Sequence, residues 1–584
     1  MYRPRASKIK VTLKYFFYKL YYCLYTNLLF LEGHDLIINF SIKHGETTDQ
    51  KILPVEGDKI TIFVGPNNSG KSLVLREVEE YFTNANQDFK LLEGIMLKTP
   101  SLEELSDYYN NYKINDPHLI TDSNYVYLKK RTVNGKIEPV HIHKATMDQG
   151  LQGDQNYFQY FLQNYYGMFL LRLDGSTRFH LTSPQEGGDL SASPTNILMD
   201  LFINDESRLR IREIIADAFG KYFVIDPTSM LTLRIKLSDV PPVDKSEEQA
   251  LDFRARKFHS EATDIKDLSD GIKAFTGIIT SVFSGDSKIL LIDEPEAFLH
   301  PPLARKLGLR LAQLAPERNA TLIAATHSSD FIMGCIQSGK EINIIRLTYQ
   351  DGASSAKLLS SSDLTNLMKD PLLRSSGVLS SLFHDTVIIT ESDADRAFYQ
   401  EINERLISSG QKGINSCLFL NAQNKQTIHR ILGPLRNLGI KAAAIVDIDV
   451  VKEGGQVWAN LLRSANIPST LIEPLNNLRH NVKQYFENTG SNMKRDGGIQ
   501  LLEDDEKAAC QNLFEQLKNY GIFIVPNGEL ESWMKNFGIP GHGPAWLMSM
   551  FERMGSDPED TDYIRPFDGD VWAFIEKIAN WSEL

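Results

Sequence analysis

The sequence predicts an α/β protein made of two parallel-sheet units in tandem, and three observations predict it. A glycine-rich loop, Gly65-Pro66-Asn67-Asn68-Ser69-Gly70-Lys71-Ser72, lies between an apolar strand and a helical stretch. An apolar run, Leu290-Leu291-Ile292, ends in Asp293-Glu294. The next such run, Thr321 to Ala325, follows a helical segment around Pro302 to Leu314, and strand–helix–strand alternation of this kind implies a parallel sheet. A second alternation begins at Thr386, and its strands end in acids: Glu391, then Asp447 and Asp449. At 584 residues the chain is too long for one core, so two or more domains are expected.

Taken in order, Asp35 to Phe40 alternates like a strand and Lys59 to Val64 is a short apolar strand. Ser72 to Phe82 has helical spacing. From about Thr83 to Gln163 the chain is polar, rich in Asn, Asp and Tyr, and reads as an irregular insertion. Met168 to Leu173 is a strand closed by the turn pair Asp174-Gly175. Ile197 to Phe219 reads as helical and Met230 to Leu237 as a strand, before Pro241-Pro242 breaks the chain. Gly352 to Ser381 is rich in Ser and reads as a partly helical connector. The second unit runs as a strand at Thr386 to Thr390, a helix to about Leu406, a strand at Ser416 to Leu420, a helix to about Leu438 and a strand at Ala442 to Val446. No internal repeat, low-complexity tract or long heptad array interrupts this order. The expected domains are residues 1–350 with the insertion at about 83–163, a helical connector at 351–384, and residues 385–584.

Composition narrows the setting. With 42% hydrophobic and 23% charged residues the chain has the make-up of a globular protein. Cys23, Cys335, Cys417 and Cys510 lie too far apart for a zinc site or a disulfide framework, which favours a reducing, cytoplasmic location. The net charge of -13 argues mildly against nucleic acid without excluding it, because local patches of Lys and Arg decide that affinity. Arg3, Arg5, Lys8, Lys10, Lys14 and Lys19 precede a leucine-rich, aromatic stretch, Leu20 to Leu31. The apolar run is too short to span a bilayer and no small-residue cleavage site follows. A buried or partner-facing helix is expected there, with a basic surface for nucleic acid or membrane as the alternative, and no membrane span is expected.

The loop from Gly65 to Ser72 fits G-x-x-x-x-G-K-[ST], and strand before plus helix after is its confirming context. Its backbone N–H groups and the helix N-terminus, contributed by Gly65, Asn67, Asn68, Ser69 and Gly70, are suited to cradle the phosphates of ATP. Lys71 is placed for the β- and γ-phosphates and Ser72 for Mg²⁺. Asp293 is the second Mg²⁺ candidate, and Glu294 the general base for the attacking water. Leu268-Ser269-Asp270-Gly271 resembles the signature of ABC-type ATPases, with Asp where the first glycine usually stands, and His327 matches their switch histidine. In this order the motifs resemble the ABC superfamily, and without membrane spans its soluble SMC/RecF-like members. That resemblance implies a dimer in which Ser269 and Gly271 of one subunit cap the ATP of the other. Gln149, Gln152 and Gln155 all sit in the insertion, and none is selected as the Q-loop residue.

In the second unit, Val387 to Thr390 runs into Glu391, and Asp395 falls about one helical turn later. Strand alternation would put Asp447 and Asp449 on one face. Carboxylates at the ends of adjacent strands form a hard-oxygen site for Mg²⁺ or Mn²⁺. The spacing resembles the Toprim domain, with Ser392 where a glycine is usual. Glu531, in Gly528-Glu529-Leu530-Glu531, resembles the later acidic position of Toprim nucleases, and Glu529 competes for it. Lys425, Lys535 and Lys577 are candidates to stabilise phosphate charge, and nothing in the sequence chooses among them.

An ABC-type ATPase followed by Toprim is the architecture of the OLD (overcoming lysogenization defect) family, and the resemblance covers nearly the whole chain. It implies an ATP-regulated, metal-dependent endonuclease acting on DNA, assembled as a homodimer or higher homo-oligomer. Relatives include antiphage effectors of the Gabija and retron-associated kinds. A partner such as a reverse transcriptase with its RNA–DNA product would dock at the N-terminus or the insertion. The competing reading is an ATP-dependent DNA-binding or repair scaffold of RecF type with a non-cleaving Toprim domain.

Overall fold

The structure is a computed structural model that describes residues 36–43, 45, 52–84, 88–114, 122–132, 135–350, 353–359 and 377–583. The basic, aromatic N-terminal stretch, Cys23 and the middle of the Ser-rich connector lie outside these residues.

The first parallel sheet is built from β1 (Ile60–Val64), β2 (Leu170–Leu173), β3 (Ile289–Asp293), β4 (Thr321–Ala325), β5 (Ile342–Gln350) and β6 (Ala353–Leu359), in the spatial order β6-β5-β1-β4-β3-β2. All neighbours pair parallel except the β5–β6 hairpin at one edge. The central strands β1 and β4 are buried at every position, because elements cover both faces of a parallel sheet. That is why they read as apolar runs rather than alternating ones. The phosphate-loop helix α1 (Lys71–Thr83) leaves the end of β1, and α2 (Asp270–Phe283) carries the signature at its start.

The second sheet is four-stranded and wholly parallel: β7 (Thr386–Thr390), β8 (Cys417–Asn421), β9 (Lys441–Val446) and β10 (Ile522–Ile524), ordered β8-β7-β9-β10. Helix α3 (Asp393–Ser408) follows β7. One contiguous buried cluster holds residues of both sheets and of the segment between them, from Ile62 and Ile344 through Leu359 and Leu382 to Val387 and Ala444. The two units therefore share an apolar core.

Several expectations need correction. The stretch from Thr83 to Gln163 is not irregular. Leu92–Leu97 pairs with Ile37–Lys43, which also pairs with Ile52–Glu56, in an antiparallel sheet. The hairpin Tyr125–Arg131/Ile137–His143 and helices Leu102–Tyr112, Lys144–Leu151 and Gln155–Asn164 fill most of the rest. Its tyrosines misled the reading, since they bury rings while keeping a polar tip. Tyr108 and Tyr166 are both buried, and their hydroxyls donate to backbone carbonyls of Asn164 and Lys98. The stretch from Ile197 to Phe219 is two helices, Ile197–Ile203 and Asp205–Phe219, because Asn204 ends the first and caps the second with its side chain. Much of the connector, residues 360–376, lies outside the described residues, so the expectation of a helical connector meets the structure only at its ends. Ala353–Leu359 is the edge strand β6, and only Val378–Phe383 is a short 3-10 helix. The missed signal was Asp351-Gly352 between two alternating runs, a two-residue hairpin pair.

Candidate functional site

At the first site the elements converge on one end of the sheet. Gly65 has φ +144, and a Cβ there would lie 2.1 Å from the carbonyl oxygen of Leu347, so only glycine lets the loop pass this close to β5. Asn67 and Asn68 are exposed, Ser69 is buried, and Gly70 caps α1 in the left-handed region. Lys71 folds back over its own loop: its Nζ donates to Gly65 O (2.9 Å), Pro66 O (2.7 Å) and Ser69 Oγ (3.3 Å). Burial pulls the Lys71 ammonium down to about 8, while Glu294, Asp293 and Glu296 push it back up. Ser72 Oγ donates to Asp293 Oδ1 at 3.0 Å, so two residues far apart in sequence meet at this end of the sheet. Burial raises the Asp293 carboxyl, and the Ser72 bond opposes that.

Glu294 is exposed and sits at φ +48, a left-handed conformation uncommon for a non-glycine residue. Its backbone is pinned on both sides. Its N–H donates to Ala325 O at 2.8 Å, and its carbonyl accepts from Arg178 Nη1 at 3.0 Å. Arg178 is completely buried and also donates to Asp293 O (2.8 Å) and Asp174 O (2.9 Å). Glu296 holds the next strand's end: its carboxylate accepts from Thr326 Oγ1 and from His327 N, each at 2.7 Å. Burial and the nearby Lys71 charge lower the His327 pKa. Ser269 is the N-cap residue of α2, and Gly271 packs on the carbonyl of Phe298 in the turn after Glu294.

At the second site β7 and β9 run side by side and release their chains at the same end. Glu391 Oε1 accepts from Asp447 N at 2.9 Å, and ligand atoms of Glu391, Asp447 and Asp449 all lie within 4.8 Å of one another. The expected reason differs from the observed one. β9 stops at Val446, and Ile448–Lys452 is a 3-10 turn, so it is this turn rather than strand alternation that brings Asp449 beside Asp447. Burial and neighbouring carboxylates raise both Glu391 and Asp447 well above the ordinary carboxylate range. Lysines offset the crowding: Lys494 Nζ lies 2.8 Å from Asp447 Oδ2, and Lys425 Nζ lies 2.8 Å from Asp449 Oδ2.

Asp395 stands outside the group whose ligand atoms lie within 4.8 Å of one another, although its charge helps to raise Glu391 and Asp447. Its Oδ2 accepts from Ser392 N and Ser392 Oγ while Ser392 Oγ accepts from Asp395 N, a reciprocal capping box at the start of α3. Glu531 stands in a second acidic group with Glu529 and His542. Its Oε1 lies 2.7 Å from His542 Nδ1 and accepts from Gly543 N at 2.6 Å. Glu529 is buried and reaches Lys494 at 3.5 Å, so Lys494 bridges the two groups. Gly528 makes that possible. At φ +123, with Lys494 O 2.0 Å from where its Cβ would be, it lets the two turns touch.

The donor set suits a divalent cation. Three hard carboxylates are crowded and largely desolvated, and Asp449 Oδ1 is buried with no hydrogen-bond partner. Sequence reasoning missed Arg178, Glu296, Lys494 and His542. Glu296 had a signal, as the next acid after the Asp293-Glu294 pair. The others act across loops and carry no local pattern.

Comparisons agree with this order of sites. Residues 192–334 match the family described as AAA domain, putative AbiEii toxin, Type IV TA system. Residues 382–449 match the overcoming lysogenization defect protein-like TOPRIM domain. No curated protein matches the chain. Among solved structures, the SMC head domain from Thermotoga maritima is 11% identical, with 56% of this chain and 99% of that chain covered and a TM-score of 0.28. An Smc head domain with an extended coiled coil, bound to the C-terminal domain of ScpA and derived from Pyrococcus furiosus, is 12% identical, with 57% and 98% covered and a TM-score of 0.31. Among the described residues no helix is long and apolar enough to cross a membrane.

Proposed function

We propose that this chain, an ATPase domain followed by an OLD-like Toprim domain, is an ATP-regulated, divalent-metal-dependent DNA endonuclease. The observation that carries the reading is the convergence of Glu391, Asp447 and Asp449 at the open end of β7 and β9.

At the first site Lys71 would exchange its loop carbonyls for β- and γ-phosphate oxygens of ATP. Ser72 and Asp293, already paired, would hold the accompanying Mg²⁺, and Glu294, pinned and facing solvent, would polarise the attacking water. Ser269 and Gly271 would meet the nucleotide of a second copy, so the working form is a homodimer or larger homo-oligomer. At the second site Glu391, Asp447 and Asp449 would hold Mg²⁺ or Mn²⁺, with Glu529 and Glu531 next in reach through Lys494. When bound, the cation lowers the pKa of water and offsets the charge on the scissile phosphate. Lys494 and Lys425 already neutralise the carboxylates, and once released they become the donors nearest to a phosphate oxygen. The family resemblance extends the proposal to a bacterial antiphage effector, with a defence partner such as a reverse transcriptase and its RNA–DNA product.

The test is DNA cleavage by the purified protein with Mg²⁺ or Mn²⁺, set beside Asp447→Asn, Asp449→Asn and Glu294→Gln. Each aspartate change is expected to lower cleavage by about a hundredfold or more, since even supporting residues of metal sites cost 10–100-fold. Glu294→Gln is expected to retain ATP and accumulate as a nucleotide-bound dimer. Cleavage that survives both aspartate changes overturns the assignment. Wild-type protein that hydrolyses ATP but never cuts DNA favours the scaffold.

A further inference from the structure

We propose that Arg346 and Phe383 are positioning residues that carry the nucleotide state of the first site into the strands that present the carboxylates of the second. The proposal rests on the reading of the two sites given above, and it names the regulation that joins them.

Two separate links run between the sites. The first starts at the phosphate loop. The carbonyl of Leu347 lies against the backbone of Gly65, close enough to forbid a Cβ there. One residue earlier on β5, Arg346 stands in register with Val64, the residue that enters the loop. Arg346 is only 4% exposed, and its guanidinium turns toward the second sheet. Nη2 donates to His384 O at 2.8 Å and Nη1 donates to Gly439 O at 3.1 Å. His384 lies two residues before β7, and Gly439 two residues before β9. One side chain thus grips the entrances of the two neighbouring strands whose exits carry Glu391 and Asp447. A five-residue strand is a stiff rod of about 17 Å, so a tilt at the entrance reaches the exit.

The second link starts at the switch histidine. His327, tied by its backbone to Glu296 next to the acidic pair, has its ring 6.0 Å from the ring of Phe383. Phe383 closes the 3-10 helix Val378–Phe383 and is followed directly by His384. Both links therefore meet at residues 383–384, immediately before β7. A guanidinium buried at a domain junction, with both terminal nitrogens held by carbonyls just before two strands, is a bracket with little slack. A shift of β5 or of His327 when phosphate arrives has to be taken up by β7 and β9 or by breaking these contacts.

The test is hydrogen exchange on the full-length protein, without DNA, with and without Mg²⁺ and a non-hydrolysable ATP analogue. In wild type the analogue is expected to change exchange in peptides spanning residues 384–391 and 439–447 by about fivefold or more, the lower end of ordinary coupling between sites. Phe383→Ala and Arg346→Lys are expected to bind the analogue within about twofold of wild type yet lose that change, and Phe383→Tyr, which keeps the ring, is expected to restore it. No nucleotide-dependent change in wild type overturns the proposal. So does an unaltered change in Phe383→Ala, or loss of analogue binding in that variant, which would place Phe383 in the nucleotide site itself. If Arg346→Lys fails to fold, the Phe383 pair decides alone. Because no DNA is cut in this experiment, a failure of the nuclease assignment leaves its outcome readable.

Discussion

Arg178 shows how a single buried cation sets the geometry of a solvent-facing acid. Its guanidinium ties the carbonyls of Asp174, Asp293 and Glu294 and so holds Glu294 at positive φ with its carboxylate exposed. Arg178→Met would leave three carbonyls without this partner. Asp174 O keeps a bond from Thr177 Oγ1, so at about 1–3 kcal/mol for each buried group left unsatisfied the loss is roughly 2 kcal/mol or more, read as a lowered thermal midpoint together with loss of ATP turnover. A variant with unchanged turnover would show that Glu294 needs no such bracing. Asp395 makes a different point: its sequence position implied a metal ligand, and one of its carboxylate oxygens, Oδ2, closes a helix cap.

At the scale of the element, that cap belongs to α3, which starts where β7 ends. Replacing an N-cap serine by alanine costs about 1 kcal/mol. Ser392→Ala and Asp395→Asn are therefore expected to destabilise the second unit by about that amount. Each should leave Mn²⁺ affinity, measured by calorimetry, within roughly tenfold of wild type, whereas loss of a ligand or its supporting shell costs more. A collapse of Mn²⁺ affinity in Asp395→Asn alone would return Asp395 to the ligand set. The 3-10 turn Ile448–Lys452 is the other decisive element. It sets Asp449 beside Asp447 by turning the chain, a geometry that an alternating reading of a strand does not contain.

At the scale of the molecule, the buried carboxylates of the second site couple its stability to pH. Burial raises Glu391 and Asp447 in the folded state, whereas in the unfolded chain they titrate near 4. The folded state then binds protons more tightly. Its advantage is fully present below the unfolded value and is lost as pH rises from there toward neutrality. A divalent cation binds the ionised form and offsets that loss. The stabilisation by Mn²⁺, read as a shift in thermal midpoint, is expected to grow between acid and neutral pH and to shrink in Asp447→Asn. A shift that is flat with pH in wild type would contradict this account.

Although β5, β6 and β10 were not legible in it, the sequence by itself determined strands β1 to β4 and β7 to β9, the phosphate loop with Ser72 and Asp293, and the acids Glu391, Asp447 and Asp449. These are local patterns: apolar runs bounded by turns, and polar residues at the point where a buried strand reaches solvent. Tertiary structure alone decided that Lys494 and Lys425 counter the carboxylates, that Arg178 and Glu296 brace the acidic turn, that Ala353–Leu359 is a strand, and that Arg346 grips two strands of the other unit. Such partners lie tens to hundreds of residues apart. Their pairing is set by how strands and loops stack around a shared core, and that leaves no periodic trace along the chain.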